Sequence, residues 1–260
     1  MSRVAMNAIL FAGGMFVGIL LLLEAGHRLG RRHVSKVGSE EGRSGLGLVD
    51  SAVYALLGLM IAFTFSAAFS RFDQRRTYIV QEANAIGTAW LRIDLLPPEF
   101  QPRVRVLFRR YLDSRLETYR KIPDTDAALN EYQRSAKLQQ EIWNEAMVGM
   151  QQLKSSPTAI PLILALNDMI DMTTTRLMAT RIHQPTVVFV MLGVLALASA
   201  LLAGYGMADG RRSTVHNLVF AAVISVTIYL IIDLEYPRFG LIRVDDVDQV
   251  LRDLRLSMGS

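Results

Sequence analysis

The sequence is 260 residues long, 51% hydrophobic and 20% charged, with a net charge of +4 and no cysteine. The missing cysteine excludes a disulfide framework, a thiolate-ligated zinc or iron–sulfur centre and a cysteine nucleophile. The apolar residues gather into four runs with the charges between them, unlike a soluble helical domain, where each helix has one apolar and one wet face. The basic excess therefore reads as headgroup contact and orientation, with no nucleic-acid motif to suggest otherwise.

A bilayer core needs roughly 20 helical residues to cross it. Val4–Leu23 is the first run of that length, with Asn7 as its only strongly polar member. It is too long for the apolar region of a signal peptide, and Glu24-Ala25-Gly26-His27 makes a poor cleavage site. Glu24–Gly47 is rich in Gly, Ser and Arg and reads as an irregular connector. Ser51–Ser70 is the second span, uncharged, between Asp50 and Arg71.

Residues 71–184 have helical periodicity with proline at the corners. The helix of span 2 meets no breaker at its exit. It is expected to continue through Ala83, Ile86 and Trp90 to about Leu96, where Pro97-Pro98 ends it. Glu99–Ile122 places Val104, Leu107, Phe108, Tyr111, Leu112 and Leu116 on one stripe. Pro123–Asp126 is a turn with N-cap candidates, followed by a helix from Ala127 to Leu153 that Ser155-Ser156-Pro157 stops. A last helix from Ala159 leads into the third span, Pro185–Tyr205, which opens on a proline. A tight turn with Asp209-Gly210 and Arg211-Arg212 precedes the fourth span, Ser213–Ile232.

The expected fold is all-α: four transmembrane helices and an extramembrane antiparallel bundle continuous with spans 2 and 3. The expected division is a first hairpin over 1–70, a bundle over 71–184, a second hairpin over 185–233 and a tail over 234–260. Both termini and the bundle then share one side of the membrane. The short loops carry seven Lys and Arg, while Arg71, Arg75, Arg76, Arg176, Arg181, Arg238 and Arg243 crowd the other side. These charges assign no orientation.

Ser51, Ala55, Gly58, Ala62, Ser66 and Ser70 recur every three or four residues along span 2, with bulky residues over most of the remainder. Such a face either lines a path for water or an ion, or packs closely on a neighbouring helix, including the same helix of another subunit. Beyond the span, Gln81, Glu82, Asn84 and Arg92 lie in a mostly apolar stretch. They read as a polar vestibule ring or as a polar cluster within the bundle. In the tail, Asp245, Asp246 and Asp248 offer oxygens to a calcium ion, without EF-hand spacing. Capping of the following helix is the more economical reading. Asp168 and Asp171 form a weak pair, the four histidines are scattered, and no catalytic motif is present. No catalytic residue and no cofactor other than calcium is expected, and the chain does not read as an enzyme.

Three stretches carry a resemblance: Asp50–Leu59, Gln81–Arg92 and Asp233–Gly240. Together they resemble the bacterial and plant membrane proteins with a bestrophin-like domain, a family of largely unassigned function. The layout is similar to that of bestrophins, which are pentameric anion channels with the second pass lining the pore. Their calcium clasp follows the last pass, a place that Asp245, Asp246 and Asp248 share. Their aromatic neck is not evident here, although Phe63, Phe65 and Phe69 are present in span 2. The resemblance implies a homo-oligomeric anion channel in the bacterial inner membrane, with the lipid bilayer and small ions as partners and both termini in the cytoplasm. A non-conducting sensor or scaffold acting through the bundle is the alternative.

Overall fold

The structure is a computed structural model that describes residues 3–37, 43–122, 124–152, 160–207 and 213–259. Among these residues every regular element is helical. The order is α1 (Arg3–Val37), α2 (Arg43–Leu91), a 3-10 turn (Arg92–Leu95), α3 (Gln101–Arg120), α4 (Thr125–Gln152) and α5 (Ile160–Arg181). Then follow α6 (Thr186–Gly206), α7 (Thr214–Glu235), a second 3-10 turn (Asp245–Asp248) and α8 (Gln249–Ser257). Four segments are long and apolar enough to cross a membrane: Arg3–His33, Gly47–Leu95, Ile160–Gly206 and Thr214–Glu235. The turns expected at Pro123, Ser155–Pro157 and Asp209–Arg212 touch or fall on positions outside the described residues.

The chain folds as two compact units, residues 1–72 with 183–241 and residues 73–182 with 242–260. In the first, α1 packs along α6 and α7. Its contact face is spaced as a helix requires, with Ala8, Met15, Ile19 and Leu23 buried. Glycine makes the approach close. A Cβ on Gly26 would lie 2.0 Å from the Leu201 carbonyl oxygen, and one on Gly204 would lie 2.1 Å from that of Leu23. This corrects the reading of Glu24–Gly47 as an irregular connector: α1 stays helical to Val37. Gly26 serves backbone packing there, as small residues do between membrane helices. The Glu24–Arg28 pair, one turn apart at 2.8 Å, sits on the same stretch.

In the second unit, α3 and α4 pair, and α2 beyond Asp73, α5 and α8 complete the bundle. Ile86, Ile93, Phe108, Leu112, Ile142 and Met169 are wholly buried in its core. Local signals set the helix ends. Pro102 stands in the first turn of α3, and the Asp124 carboxylate accepts the Ala127 N–H at 3.0 Å to cap α4. Helix α2 runs unbroken from the apolar span into this unit. The chain leading to span 3 does not: residues 182–185 are non-helical, and α6 starts after Pro185. Proline restricts the residue before it and removes a donor, so the helix stops there. The tail is not a separate segment, since Leu251 and Met258 belong to the bundle core.

Candidate functional site

Helix α2 has two unlike faces over its apolar span. Between Ser51 and Ser70 the buried residues are Leu57, Thr64 and Ala68. At about 100° per residue they lie on one side. Ser51, Ala55, Gly58, Ala62, Ser66 and Ser70 are all exposed, on the side away from them. A Cβ added to Gly58 would meet nothing within 4 Å. Close packing inside the protomer therefore does not account for the small residues. The Ser51 hydroxyl needs no outside partner to survive in an apolar setting, since it donates to the Gly47 carbonyl at 2.7 Å. Phe63, Phe65 and Phe69 are exposed as well, and the rings of Phe65 and Phe69 stack at 6.4 Å.

Two carboxylates in the last turn of α7 organise the end of the first unit. Glu235 is fully buried. It accepts from Arg71 Nε and Nη2, the shorter at 2.8 Å, from the Gln184 backbone N–H at 3.0 Å, and has His183 Nδ1 at 3.3 Å. A buried charge is tolerable only when paired and hydrogen-bonded in this way. Asp233 accepts the Leu241 N–H at 3.0 Å, closing a turn through Tyr236-Pro237. A Cβ on Gly240 would sit 1.5 Å from Asp233 Oδ1. Glycine is required there by space, not by its φ angle.

The second unit contains a buried ionic network. Glu82 and Arg115 are fully or almost fully buried, at 0% and 1% exposure. Arg115 Nε donates to Glu82 Oε1 at 2.6 Å, and Arg176 Nη1 donates to Glu82 Oε2. Arg176 Nη2 reaches Asp248 Oδ1 at 2.8 Å, and its guanidinium lies 3.5 Å from the centre of the Tyr119 ring. Tyr119 donates to Glu82 Oε2 at 3.1 Å. Burial pushes the Glu82 carboxyl up, but the two guanidiniums override it and hold the group down at about 2. Nearby, Gln139 Nε2 donates to Tyr111 Oη at 3.0 Å and Thr173 Oγ1 at 2.8 Å. Burial pushes the Tyr111 phenol up to about 12.

The four vestibule candidates separate. Gln81 and Asn84 are exposed. Glu82 is turned into the bundle as the centre of the network, which corrects its place on a polar ring. Gln81 and Glu82 are adjacent, about 100° apart on a helix, and cannot share a narrow face. Arg92 Nη1 donates to the Pro161 carbonyl at 2.7 Å, bracing the start of α5. The tail acids are not gathered for a metal either. Asp248 faces Arg176, Asp245 pairs with Arg243 at 2.5 Å, and no group of three or more suitable ligands occurs among the described residues. Asp248, the residue before α8, makes no side-chain cap to it, and Asp245, Asp246 and Asp248 all lie in the 3-10 turn that leads into that helix. Sequence reasoning missed Arg115 and Arg176 as partners of Glu82, and Arg71 as the partner of Glu235. The only signal was that each is a charge at an otherwise apolar helical position.

The profile of the Bestrophin-like domain matches residues 17–248. The chain belongs to the bestrophin-like family. Solved structures agree in fold. A tryptophan-to-alanine variant of a bacterial bestrophin homologue from Klebsiella pneumoniae aligns over 99% of this chain and 98% of its own, at 14% identity and a TM-score of 0.71. A leucine-to-threonine variant of a homologue from that organism aligns over 94% and 99%, at 15% identity and a TM-score of 0.67. A structure of such a homologue phased with zinc covers 93% and 97%, at 16% identity and a TM-score of 0.63. No curated protein matches the sequence. The bestrophin-like chain is thus a four-span membrane protein, and two of the stretches that carry the resemblance acquire physical meaning. Gln81–Arg92 supplies the ionic centre of the bundle, and Asp233–Gly240 supplies the Arg71 partner at the end of α7 and the turn that follows.

Proposed function

We propose that this protein is an oligomeric membrane ion channel for anions, with α2 lining the path. The observation that carries this reading is the exposed face of Ser51, Ala55, Gly58, Ala62, Ser66 and Ser70. It lies away from the buried face of the same helix and is not used by any neighbour at Gly58. Two occupants suit such a face. Lipid gains little from contact with Ser and Gly, whereas the same residues facing a symmetry axis leave width and hydroxyl oxygens for a hydrated path. Several copies around an axis would each contribute this face, with Phe65 and Phe69 of the same helix standing near its inner end.

Membership of the bestrophin-like family and the fold shared with bestrophin homologues support an oligomeric channel of this design. The preference for anions follows from that kinship and from the absence of a carboxylate between Ser51 and Ser70. Purified protein in planar bilayers is expected to conduct, with a reversal potential that follows the chloride gradient. Gly58→Trp should reduce the unitary current several-fold, and Val194→Trp on the exposed side of α6 should leave it unchanged. A strictly monomeric, electrically silent protein would overturn the proposal.

A further inference from the structure

The calcium clasp implied by the family resemblance does not fit the tail of this chain. Calcium takes about six to eight oxygen ligands, and of Asp245, Asp246 and Asp248 only Asp248 is buried, its carboxylate already committed. Asp248, 7% exposed, receives Arg176 Nη2 at 2.8 Å. That guanidinium is a permanent cation, and its other terminal nitrogen donates to Glu82. Both Glu82 oxygens are in turn occupied, by Arg115 and by Arg176 with Tyr119. Two carboxylates and two guanidiniums balance, so a divalent ion added beside Asp248 would leave a buried excess of positive charge.

We propose that Arg176 is the built-in cation of this tail: its guanidinium clamps Asp248 to Glu82, and α8 docks on the bundle without a metal ion. The geometry suits a guanidinium and not a lysine. Its planar fork sends one nitrogen to each carboxylate while its face lies 3.5 Å from the Tyr119 ring centre. The clamp spans elements distant in sequence, joining α2, α5 and the 3-10 turn before α8. The rest of the tail follows from that anchor. Leu251 is fully buried, Leu254 Cδ1 lies 3.3 Å from the Cβ position of Gly87, and Arg255 pairs with Asp113 at 2.7 Å. Where a metal-clasped tail would respond to the calcium concentration, this one responds to the integrity of a single ion pair.

The test is amide hydrogen exchange of the full-length protein in detergent, read over residues 249–257 and, as a reference, over α4. It does not depend on whether the protein conducts. In the unaltered protein, exchange of the tail should be the same in millimolar calcium and in excess chelator. Acceleration by about tenfold or more on chelation, the size expected from losing a charge-assisted contact, would overturn the proposal. Asp248→Asn, which keeps the shape and removes the charge, should accelerate exchange of 249–257 about tenfold or more and that of α4 by clearly less. An unchanged tail, or equal acceleration of the tail and α4, would contradict a clamp local to the tail.

Discussion

Removal of one charge from the buried network should cost far more than removal of a balanced pair. Glu82, at 0% exposure, answers two guanidiniums, those of Arg115 and Arg176. Glu82→Gln leaves Arg115, at 1% exposure, without its carboxylate, and an uncompensated buried charge costs on the order of 3–5 kcal/mol. For a unit of this size that is a fall in the unfolding midpoint on the order of 10 °C. Arg115→Met should cost a similar amount, because Glu82 then answers Arg176 alone, in competition with Asp248. The double variant removes one charge of each sign and keeps the Arg176–Asp248 pair. It also removes Arg115 Nη1, a buried nitrogen with no hydrogen-bond partner. Its loss should be well below the sum of the single losses, with a coupling of about 2 kcal/mol or more. Thermal unfolding of the detergent-solubilised protein, followed by circular dichroism, reads all three. Additive losses, or a Glu82→Gln variant within about 1 kcal/mol of the parent, would refute the view that this network acts as a charge-balanced unit.

Acid should reveal the same group. The Glu82 carboxyl is held at about 2 against an ordinary 4.5, so its contribution is complete above about pH 4.5 and is lost as pH falls toward 2. The midpoint of the parent should decline through that window more steeply than that of Glu82→Gln; equal slopes would count against the assignment. Gly240→Ala should disrupt the turn after α7, since its Cβ falls 1.5 Å from Asp233 Oδ1. Gly58→Ala, with open space around it, should be near neutral, and monodispersity on size exclusion distinguishes the two. Gly26→Leu should force α1 away from α6, because even a Cβ there lies 2.0 Å from a carbonyl oxygen. It should lower the thermal aggregation temperature, whereas Gly13→Leu, with nothing within 4 Å, should not.

The spans and the bundle helices were legible in the sequence because length and period are local properties. Ser51–Ser70 and Ser213–Ile232 are uncharged runs of membrane length, and the α3 stripe from Val104 to Leu112 is buried as its spacing predicts. Proline read correctly as punctuation at Pro97-Pro98, whereas at Pro185 the expected continuity of the bundle with span 3 gives way to a break over residues 182–185. Glycine was misread. Gly26 looked like part of a loop, and only the position of α6 shows that it marks a close backbone contact. Charged residues were the least legible, since their partners are far away in the chain. Glu82 meets Arg115 and Arg176, and Glu235 meets Arg71 across 164 positions. Single-sequence periodicity carries no information about such pairs. The tail acids were illegible for the same reason: they read as caps, with calcium as the lesser reading, and Asp248 instead meets the Arg176 guanidinium from another helix.

The central claim is that the small-residue face of α2 borders an ion path, and cysteine accessibility tests it most directly in a protein with no native cysteine. Cysteine would be placed singly at Gly58, Ala62, Ser66 and Ser70, and at the buried positions Leu57, Thr64 and Ala68. A charged thiol reagent would then be applied while bilayer current is recorded. The account predicts progressive block at the first four positions and none at the other three. A current unaffected at all seven, or block without this helical pattern, would contradict it.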